Sequence, residues 1–169
     1  MKTLKRLSLL AVLFAAFSTV TMAQVNATAS ASALIVQPIA IAWAADMDFG
    51  NVAVSTLAGT VVLDPAGART TTGGVTLPAL TGTVTAASFT VTGDGTRTYV
   101  ITLPAAATTI SNGVQTMNVD TWTSNPSGTG TLAAGTQTLN VGATLNVAGS
   151  QAPGTYVSGA DFTVTVNYN

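Results

Sequence analysis

Threonine is the residue that most constrains the fold of this chain. From residue 24 onward it supplies 28 of 146 residues, together with many valines and alanines and all 16 glycines. Threonine and valine are branched at Cβ and suit a pleated strand better than a helix. The charged helix formers are nearly absent from the same stretch, which contains two arginines and neither lysine nor glutamate. The composition therefore predicts an all-β fold.

Hydrophobic alternation locates the strands. In several segments apolar residues alternate with threonine, serine or asparagine at a period of two, as in strands with one buried face. The residues expected to face inward are Ile39, Ile41, Trp43, Val61, Leu63, Ala87, Phe89, Val91, Tyr99, Ile101, Leu103, Met117, Val119, Leu139, Val141, Ala143, Leu145, Val147, Phe162, Val164, Val166 and Tyr168. Seven to ten short strands in 146 residues predict an antiparallel β-sandwich of the immunoglobulin or pilin-like type.

Turn residues separate these strands. Asp64-Pro65-Ala66-Gly67 fits a type I turn, and the pairs Asp94-Gly95 and Asn112-Gly113 each predict a β-hairpin. Residues 70–74, Thr-Thr-Thr-Gly-Gly, fit either a mobile loop or a strand at a sheet edge. Gly142 interrupts a long alternating segment and predicts a bulge or a bend.

The first 23 residues have the three parts of a secretory signal peptide. Lys2, Lys5 and Arg6 precede an apolar run, and Thr21-Met22-Ala23 places small residues before a cleavage point at Gln24. We therefore predict a signal peptide over residues 1–23 and a single β-sandwich domain over residues 24–169. The apolar run is short for a membrane span, which needs about 20 residues. The expected location is secreted, in the periplasm or at the cell surface.

The remaining chemistry of the predicted mature chain is sparse. Its two arginines and six aspartates give a charge of −4, and it has no histidine, cysteine, lysine or glutamate. These absences remove the usual general bases, thiol nucleophiles, Schiff-base lysines, imidazole and thiolate metal ligands, and a basic surface for nucleic acid. We therefore expect no enzyme and no cofactor, and we assign no catalytic, cofactor-binding or metal-binding residue.

Two groups of residues nevertheless deserve a binding hypothesis. Asp46 and Asp48 would share one face of a strand and offer oxygen ligands to calcium, although a charged corner before Phe49 is the favoured interpretation. An aromatic platform for sugars would draw on Trp43, Trp122, Tyr99, Tyr156 and Tyr168. Trp122 is out of phase with Met117 and Val119 and is the best candidate for an exposed ring, although packing at an edge or interface is favoured even there.

Residues 24–36 carry a pattern relevant to assembly. Val25 and four alanines at alternate positions share one face, and Asn26, Thr28, Ser30 and Ser32 share the other. Such a run can add as a strand to an exposed sheet edge of a neighbouring subunit. It can equally be the first strand of its own sandwich, which is the favoured interpretation.

Six segments, in this order, resemble a known family. They are Ala-Asp-Met-Asp-Phe-Gly-Asn-Val (45–52), Gly-Gly-Val-Thr-Leu (73–77), Ala-Ser-Phe-Thr-Val-Thr-Gly (87–93), Tyr-Val-Ile-Thr-Leu-Pro (99–104), Leu-Asn-Val-Gly-Ala-Thr-Leu (139–145) and Gly-Thr-Tyr followed by Phe-Thr-Val-Thr-Val-Asn-Tyr (154–168). Together they resemble the bacterial family called domain of unknown function 4402. The resemblance implies a secreted β-rich surface protein and transfers no catalytic residue. A weaker resemblance links the chain to chaperone-usher pilins and spore-coat-U-like domains.

The leading hypothesis is an exported, non-enzymatic structural or adhesive protein of the cell surface, of the fimbrial or pilin-like kind. The alternative is a self-contained β-sandwich module that binds a glycan or calcium. Expected partners are further copies of the chain, other surface subunits and a periplasmic chaperone. Nucleic acid and a membrane span after signal removal are not expected.

Overall fold

The computed structural model describes residues 24–169, so the predicted signal peptide lies outside the described residues. The chain divides after Leu34, and all described strands belong to the unit Ile35–Asn169. Residues 24–34 are exposed and contain no strand. The strand predicted over residues 24–36 is therefore not formed in the described chain, whose first strand begins at Ala40. Alanine and serine side chains bury little apolar area, so this run gains little from packing.

The all-β prediction is confirmed: residues 24–169 contain no helix and eleven strands, one more than the upper limit expected. Two of them have only two or three residues, too short for an alternation pattern to reveal. The strands are β1 (Ala40–Ala45), β2 (Ala53–Leu63), β3 (Arg69–Thr76), β4 (Ala87–Thr92), β5 (Thr98–Thr102), β6 (Thr108–Ser111), β7 (Thr116–Asn125), β8 (Thr129–Thr131), β9 (Thr136–Val147), β10 (Val157–Ser158) and β11 (Thr165–Tyr168).

The strands form two antiparallel sheets. In the larger sheet the order is β1-β4-β9-β7-β6-β10, with β2 also paired to β9 and β3 paired to β2. The smaller sheet has the order β11-β5-β8. β3, which includes residues 70–74, pairs with β2 alone, so the edge-strand interpretation of that Thr-Gly run is confirmed.

β9 organises the larger sheet because two strands share one of its sides. β4 pairs with residues 136–141 and β2 with residues 143–147, while β7 runs along the opposite side. Gly142 lies at the change from one partner to the other. A Cβ atom there would lie 2.2 Å from the Leu63 carbonyl oxygen, so only glycine leaves room for the end of β2. The glycine thus marks a close backbone approach.

Two apolar clusters form the core. The first lies between the sheets and includes residues of β4, β5, β9 and β11, with Tyr99, Leu132 and Leu139 fully buried. The second joins β2, β3, β7 and the end of β9 around Val61 and Leu145, and Phe49 packs against it from the β1–β2 connection. The packing of two sheets across the first cluster is consistent with the predicted sandwich.

Two of the three predicted turns have the expected form. The Gly67 N–H donates to the Asp64 carbonyl across 3.0 Å, which closes the turn between β2 and β3. Asn112 begins the β6–β7 hairpin, and its Oδ1 accepts hydrogen bonds from Val114 N–H and Gln115 N–H. Both turns were predictable because they depend on a few neighbouring residues.

The hairpin predicted at Asp94-Gly95 is wrong. A turn does form, with the Arg97 N–H 3.2 Å from the Asp94 carbonyl and an ion pair of 2.8 Å between the two side chains. However, β4 before it pairs with β1 and β9, whereas β5 after it pairs with β11 and β8. The turn therefore carries the chain from one sheet to the other, because the flanking strands find better partners elsewhere.

Candidate functional site

Asp46 and Asp48 each accept a hydrogen bond from a residue nearby in the chain. Both follow β1, so the expectation that they share the face of a strand is wrong. Asp46 Oδ1 accepts a hydrogen bond of 2.9 Å from Trp43 Nε1, and Asp48 Oδ1 accepts one of 2.7 Å from Gly50 N–H. Within residues 24–169 no group of three or more His, Cys, Asp or Glu residues is placed to hold a metal ion. This arrangement matches a charged corner that orders the start of the β1–β2 connection.

Three of the four remaining aspartates have separate partners. Asp64 Oδ1 accepts hydrogen bonds of 2.9 Å from Ala66 N–H and 2.8 Å from Ala68 N–H. Asp94 pairs with Arg97, and Asp120 Oδ2 accepts a hydrogen bond of 2.9 Å from Asn146 Nδ2. Asp161 is exposed in the segment before β11. The structure therefore gives Asp64, Asp94 and Asp120 individual structural contacts.

The five aromatic residues considered for a sugar platform are dispersed by the fold. Tyr99 is fully buried, and Tyr156 and Tyr168 are partly buried. The inward position expected for Trp43 is wrong: its side chain is 66% exposed on β1, where the indole N–H donates a hydrogen bond to Asp46. Core packing of Tyr99 and Tyr168, which the alternation favoured, is confirmed.

Trp122 lies at a bulge in β7 that changes the direction of its side chain. Between Asp120 and Thr123 the pairing of β7 with β9 gains one residue on β7, and Thr121 has a φ of 50°. This bulge reverses the side-chain alternation, so Trp122 turns inward with Val119. Its ring packs 4.5 Å from that of Phe162. The expected exposure of Trp122 is wrong, and the packing interpretation is confirmed.

Tyr99 combines a buried ring with a hydrogen-bonded hydroxyl. Burial raises the pKa of its phenol, because the charged form loses its hydration. The hydroxyl donates a hydrogen bond of 2.7 Å to Gln137 Oε1, which also accepts one from Thr131 N–H. This contact joins β5 and β8 of the smaller sheet to β9 of the larger one and is structural.

The outer face of the larger sheet carries a feature that the sequence analysis missed. The pairing registers align side chains of five neighbouring strands in one row, which we call the polar row: Thr72 of β3, Thr60 of β2, Asn146 of β9, Asn118 of β7 and Thr109 of β6. Inward-facing neighbours such as Val61 and Leu145 are buried, so the polar row faces solvent. The alternation of threonine and asparagine hinted at a polar face, but the register that aligns these residues could not be read from it.

Hydrogen bonds link the members of the polar row. The hydroxyls of Thr60 and Thr72 are 2.7 Å apart, and Thr109 Oγ1 donates to Asn118 Oδ1 across 3.2 Å. Asn146 Nδ2 contacts the Asn118 carbonyl oxygen at 3.3 Å as well as Asp120. The polar groups are thus held in place by one another.

An open groove of about 500 Å³ runs beside the centre of the polar row. Thr60, Asn118 and Asn146 line it together with Met117 and Val147. The groove is therefore lined by hydroxyl and amide side chains from three neighbouring strands, whereas the side chains of Met117 and Val147 pack into the second core cluster on the other face of the sheet.

The residues around the N-terminal end of the described chain form a second candidate region. Residues 24–34 are exposed throughout, and Val25 is 91% and Leu34 80% accessible. In the unit Ile35–Asn169, β1 pairs with β4 alone and β11 with β5 alone among the described strands. Each of these strands consequently has one side free of strand pairing.

The described residues contain no helix that is long and apolar enough to cross a membrane. No curated protein and no solved structure matches the chain. The weaker resemblance to pilins and spore-coat-U-like domains therefore stays a prediction.

The comparison with protein families agrees with the limits of the folded unit. Residues 39–168 match the family described as a domain of unknown function, DUF4402. This range begins one residue before β1 and ends with the last residue of β11. The match spans well over half of the chain, which therefore belongs to the DUF4402 family.

Proposed function

We propose that this protein is an exported, non-enzymatic structural subunit of the bacterial cell surface, which assembles by donating its N-terminal segment to a sheet edge of another copy. The observation that carries the proposal concerns residues 24–34. Their polar and apolar residues alternate as in a strand, yet they are exposed and form no strand in the described chain. A segment of this kind gains backbone hydrogen bonds only when it finds a sheet edge.

The edge strands of the folded unit are suitable acceptors. β1 reads Ala-Ile-Ala-Trp-Ala-Ala and contains no charged residue and no proline, the two devices that usually prevent edge pairing. Natural proteins rarely leave such an edge unprotected unless it has a partner. Trp43, exposed on this strand, would supply apolar area for an incoming chain.

The donated face would consist mainly of small side chains. Val25 and the alanines at 27, 29, 31 and 33 lie on one side of an extended chain. Each alanine buries little area, so most of the binding free energy would come from backbone pairing along the edge. We therefore expect two assembled copies to dissociate slowly only when the whole segment is paired with the sheet edge.

The non-enzymatic part of the proposal is supported by the available chemistry. Residues 24–169 offer no imidazole, thiol or amine side chain, and five of the six aspartates contact structural partners. Export is supported by the residues before Gln24, and other surface subunits and a periplasmic chaperone are the further partners proposed.

The test compares two substitutions in the donated segment of the chain beginning at Gln24. Ala29→Asp places a carboxylate on the apolar face, whereas the control Ser30→Asp places it on the polar face one residue later. We expect concentration-dependent oligomers by light scattering, resistant to SDS until heated, for the unmodified chain and for Ser30→Asp. Ala29→Asp should remain monomeric. An unmodified chain that stays monomeric at all concentrations would overturn the proposal. Equal assembly of Ala29→Asp and Ser30→Asp would also overturn it.

A further inference from the structure

We propose that the polar row and its groove bind a neutral polysaccharide chain. This inference does not rest on strand donation, since every residue involved belongs to one folded unit. Four features support it: the length of the polar row, its remaining hydrogen-bonding capacity, the rigidity of its side chains and the charge on the outer face of the larger sheet.

The length of the polar row suits an extended polymer. Neighbouring strands lie about 4.8 Å apart, so five strands give a row about 19 Å long from Thr72 to Thr109. A polysaccharide lying across the strands would meet a polar side chain from each strand in turn. The groove beside Thr60, Asn146 and Asn118 would hold its central sugar rings.

The members of the polar row keep hydrogen-bonding capacity after their mutual contacts. A hydroxyl offers one donor and two acceptor sites, so the single bond between Thr60 and Thr72 leaves most of their capacity open. Asn118 uses Oδ1 to accept from Thr109, and its amide group carries two N–H donors besides. Sugar hydroxyls both donate and accept, and a row of mixed donors and acceptors matches them.

The side chains of the polar row lose little freedom on binding. Threonine is restricted at χ1 by its branched Cβ, and Asn146 is further held by its contacts with Asp120 and the Asn118 carbonyl. The long, flexible lysine and glutamate side chains that commonly cover a solvent-facing sheet are absent from residues 24–169. Ordering an exposed lysine or glutamate costs up to about 2 kcal/mol in side-chain entropy, and this penalty does not arise here.

Charge selects a neutral ligand. Asp120, beside the polar row, is the acidic group that faces it, and Arg69 turns to the other side to donate to the carbonyls of Phe49 and Asn51. Arg97 lies in the turn after β4 and pairs with Asp94. An anionic polymer would find no cation on the face and would be repelled by the net negative chain, whereas neutral hydroxyls would be accepted.

The test is affinity electrophoresis of the chain beginning at Gln24 in native gels that contain one dissolved polymer each. The neutral probes are a mixed-linkage β-glucan, hydroxyethylcellulose, a mannan, a galactan and dextran, and the anionic probe is alginate. We expect at least one neutral polymer to retard the protein and alginate to leave its mobility unchanged. Retardation by none of the neutral polymers, or by alginate to the same degree, would overturn the proposal.

Two lysine substitutions locate the site. Asn118→Lys projects a long side chain from the polar row beside the groove, and the control Thr102→Lys places the same side chain on the outer face of β5 in the smaller sheet. Asn118→Lys should be retarded less, with a dissociation constant for the polymer at least tenfold higher than that of the unmodified protein. Thr102→Lys should bind as the unmodified protein does. Thr72→Lys, at the exposed end of the polar row, replaces Asn118→Lys if that variant does not fold. Equal binding by the row variant and the control would overturn the proposed location.

The experiment also separates this proposal from assembly. Ala29→Asp, which should be monomeric, retains the whole polar row, so it should still be retarded, though less strongly because it lacks multivalency. Loss of assembly with retained binding would contradict neither inference. Retardation abolished by Ala29→Asp alone and unaffected by Asn118→Lys would overturn the polysaccharide site and leave the assembly proposal intact.

Discussion

The hydroxyl of Tyr168 donates a hydrogen bond of 2.9 Å to the carbonyl oxygen of Gln37, 131 residues earlier in the chain. The Tyr168 hydroxyl oxygen in turn accepts a hydrogen bond of 2.6 Å from Asp94 N–H. Tyr168 belongs to the last strand, Gln37 lies before the first, and Asp94 lies in the turn between the sheets. One phenol therefore ties both ends of the folded unit to the point where the chain changes sheets.

Removing that hydroxyl should destabilise the protein. In Tyr168→Phe the Asp94 N–H loses its acceptor in a partly buried position, and the expected loss is about 1–3 kcal/mol in the free energy of unfolding. The neighbouring exposed residue provides the control, since Asn167→Ala should change stability by no more than about 0.5 kcal/mol. Urea denaturation of both variants measures the difference. Equal stability of Tyr168→Phe and the unmodified protein would show that the tie contributes nothing.

Gly142→Ala should be among the most damaging single substitutions. The added methyl group would lie 2.2 Å from the Leu63 carbonyl oxygen, and both neighbouring strands are fixed by pairing to β9. We expect a loss of about 3 kcal/mol, at the upper end for overpacking, because backbone must move. Gly159→Ala is the matched control, since a Cβ at that position meets no atom within 4 Å. Thermal denaturation should show a lowered Tm for Gly142→Ala only.

Truncation of the two tryptophans should change the stability of the protein to very different degrees. Trp122→Ala removes a ring packed against Phe162 and both core clusters, with an expected loss of about 3–5 kcal/mol. Trp43→Ala removes an exposed ring and should change the stability of the monomer by no more than about 0.5 kcal/mol. Chemical denaturation at low protein concentration makes the comparison. Similar losses for the two variants would contradict the inward position of Trp122.

Stability should fall at alkaline pH because of Tyr99. Its pKa is raised in the folded protein by burial, so above the unfolded value of about 10 the unfolded chain releases the phenolic proton first. The unfolded state then binds fewer protons, and the free energy of unfolding decreases as pH rises toward the folded pKa. Below about pH 9 this contribution is constant. No lysine titrates in the same range within residues 24–169.

Tyr99→Phe tests this pH dependence. The variant should be less stable at neutral pH because Gln137 loses the phenolic donor, yet its stability should decline less between about pH 9 and pH 11. The measurement is urea denaturation at intervals across that range. Parallel curves for the variant and the unmodified protein would exclude Tyr99 as the titrating group.

Processing of the exported protein should begin the mature chain at Gln24. Thr21-Met22-Ala23 supplies the small residues before the cleavage point, and an N-terminal glutamine can cyclise to pyroglutamate. Mass spectrometry of secreted material should therefore give the mass of residues 24–169, with or without the loss of ammonia. An exported protein that retains Met1, Lys2 and Lys5 would contradict the proposed signal peptide.

Local patterns carried a large part of the fold. Threonine and valine content predicted strands, and alternation placed Val61, Leu139 and Val164 in the core, where they lie. Asp64 and Asn112 marked turns correctly because a turn depends on four or five consecutive residues. These features need no knowledge of which strands become neighbours.

Pairing between distant strands decided what the local patterns could not. The bulge at Thr121 turned Trp122 inward, the choice of partners for β4 and β5 turned an expected hairpin into a crossing between sheets, and the close approach of Leu63 explains Gly142. The polar row is of the same kind, since Thr60, Asn146 and Asn118 meet only through the registers of three strands. Side-chain alternation is a property of one strand, whereas register and partner depend on the packing of the whole sheet, and that packing exists only in the tertiary structure.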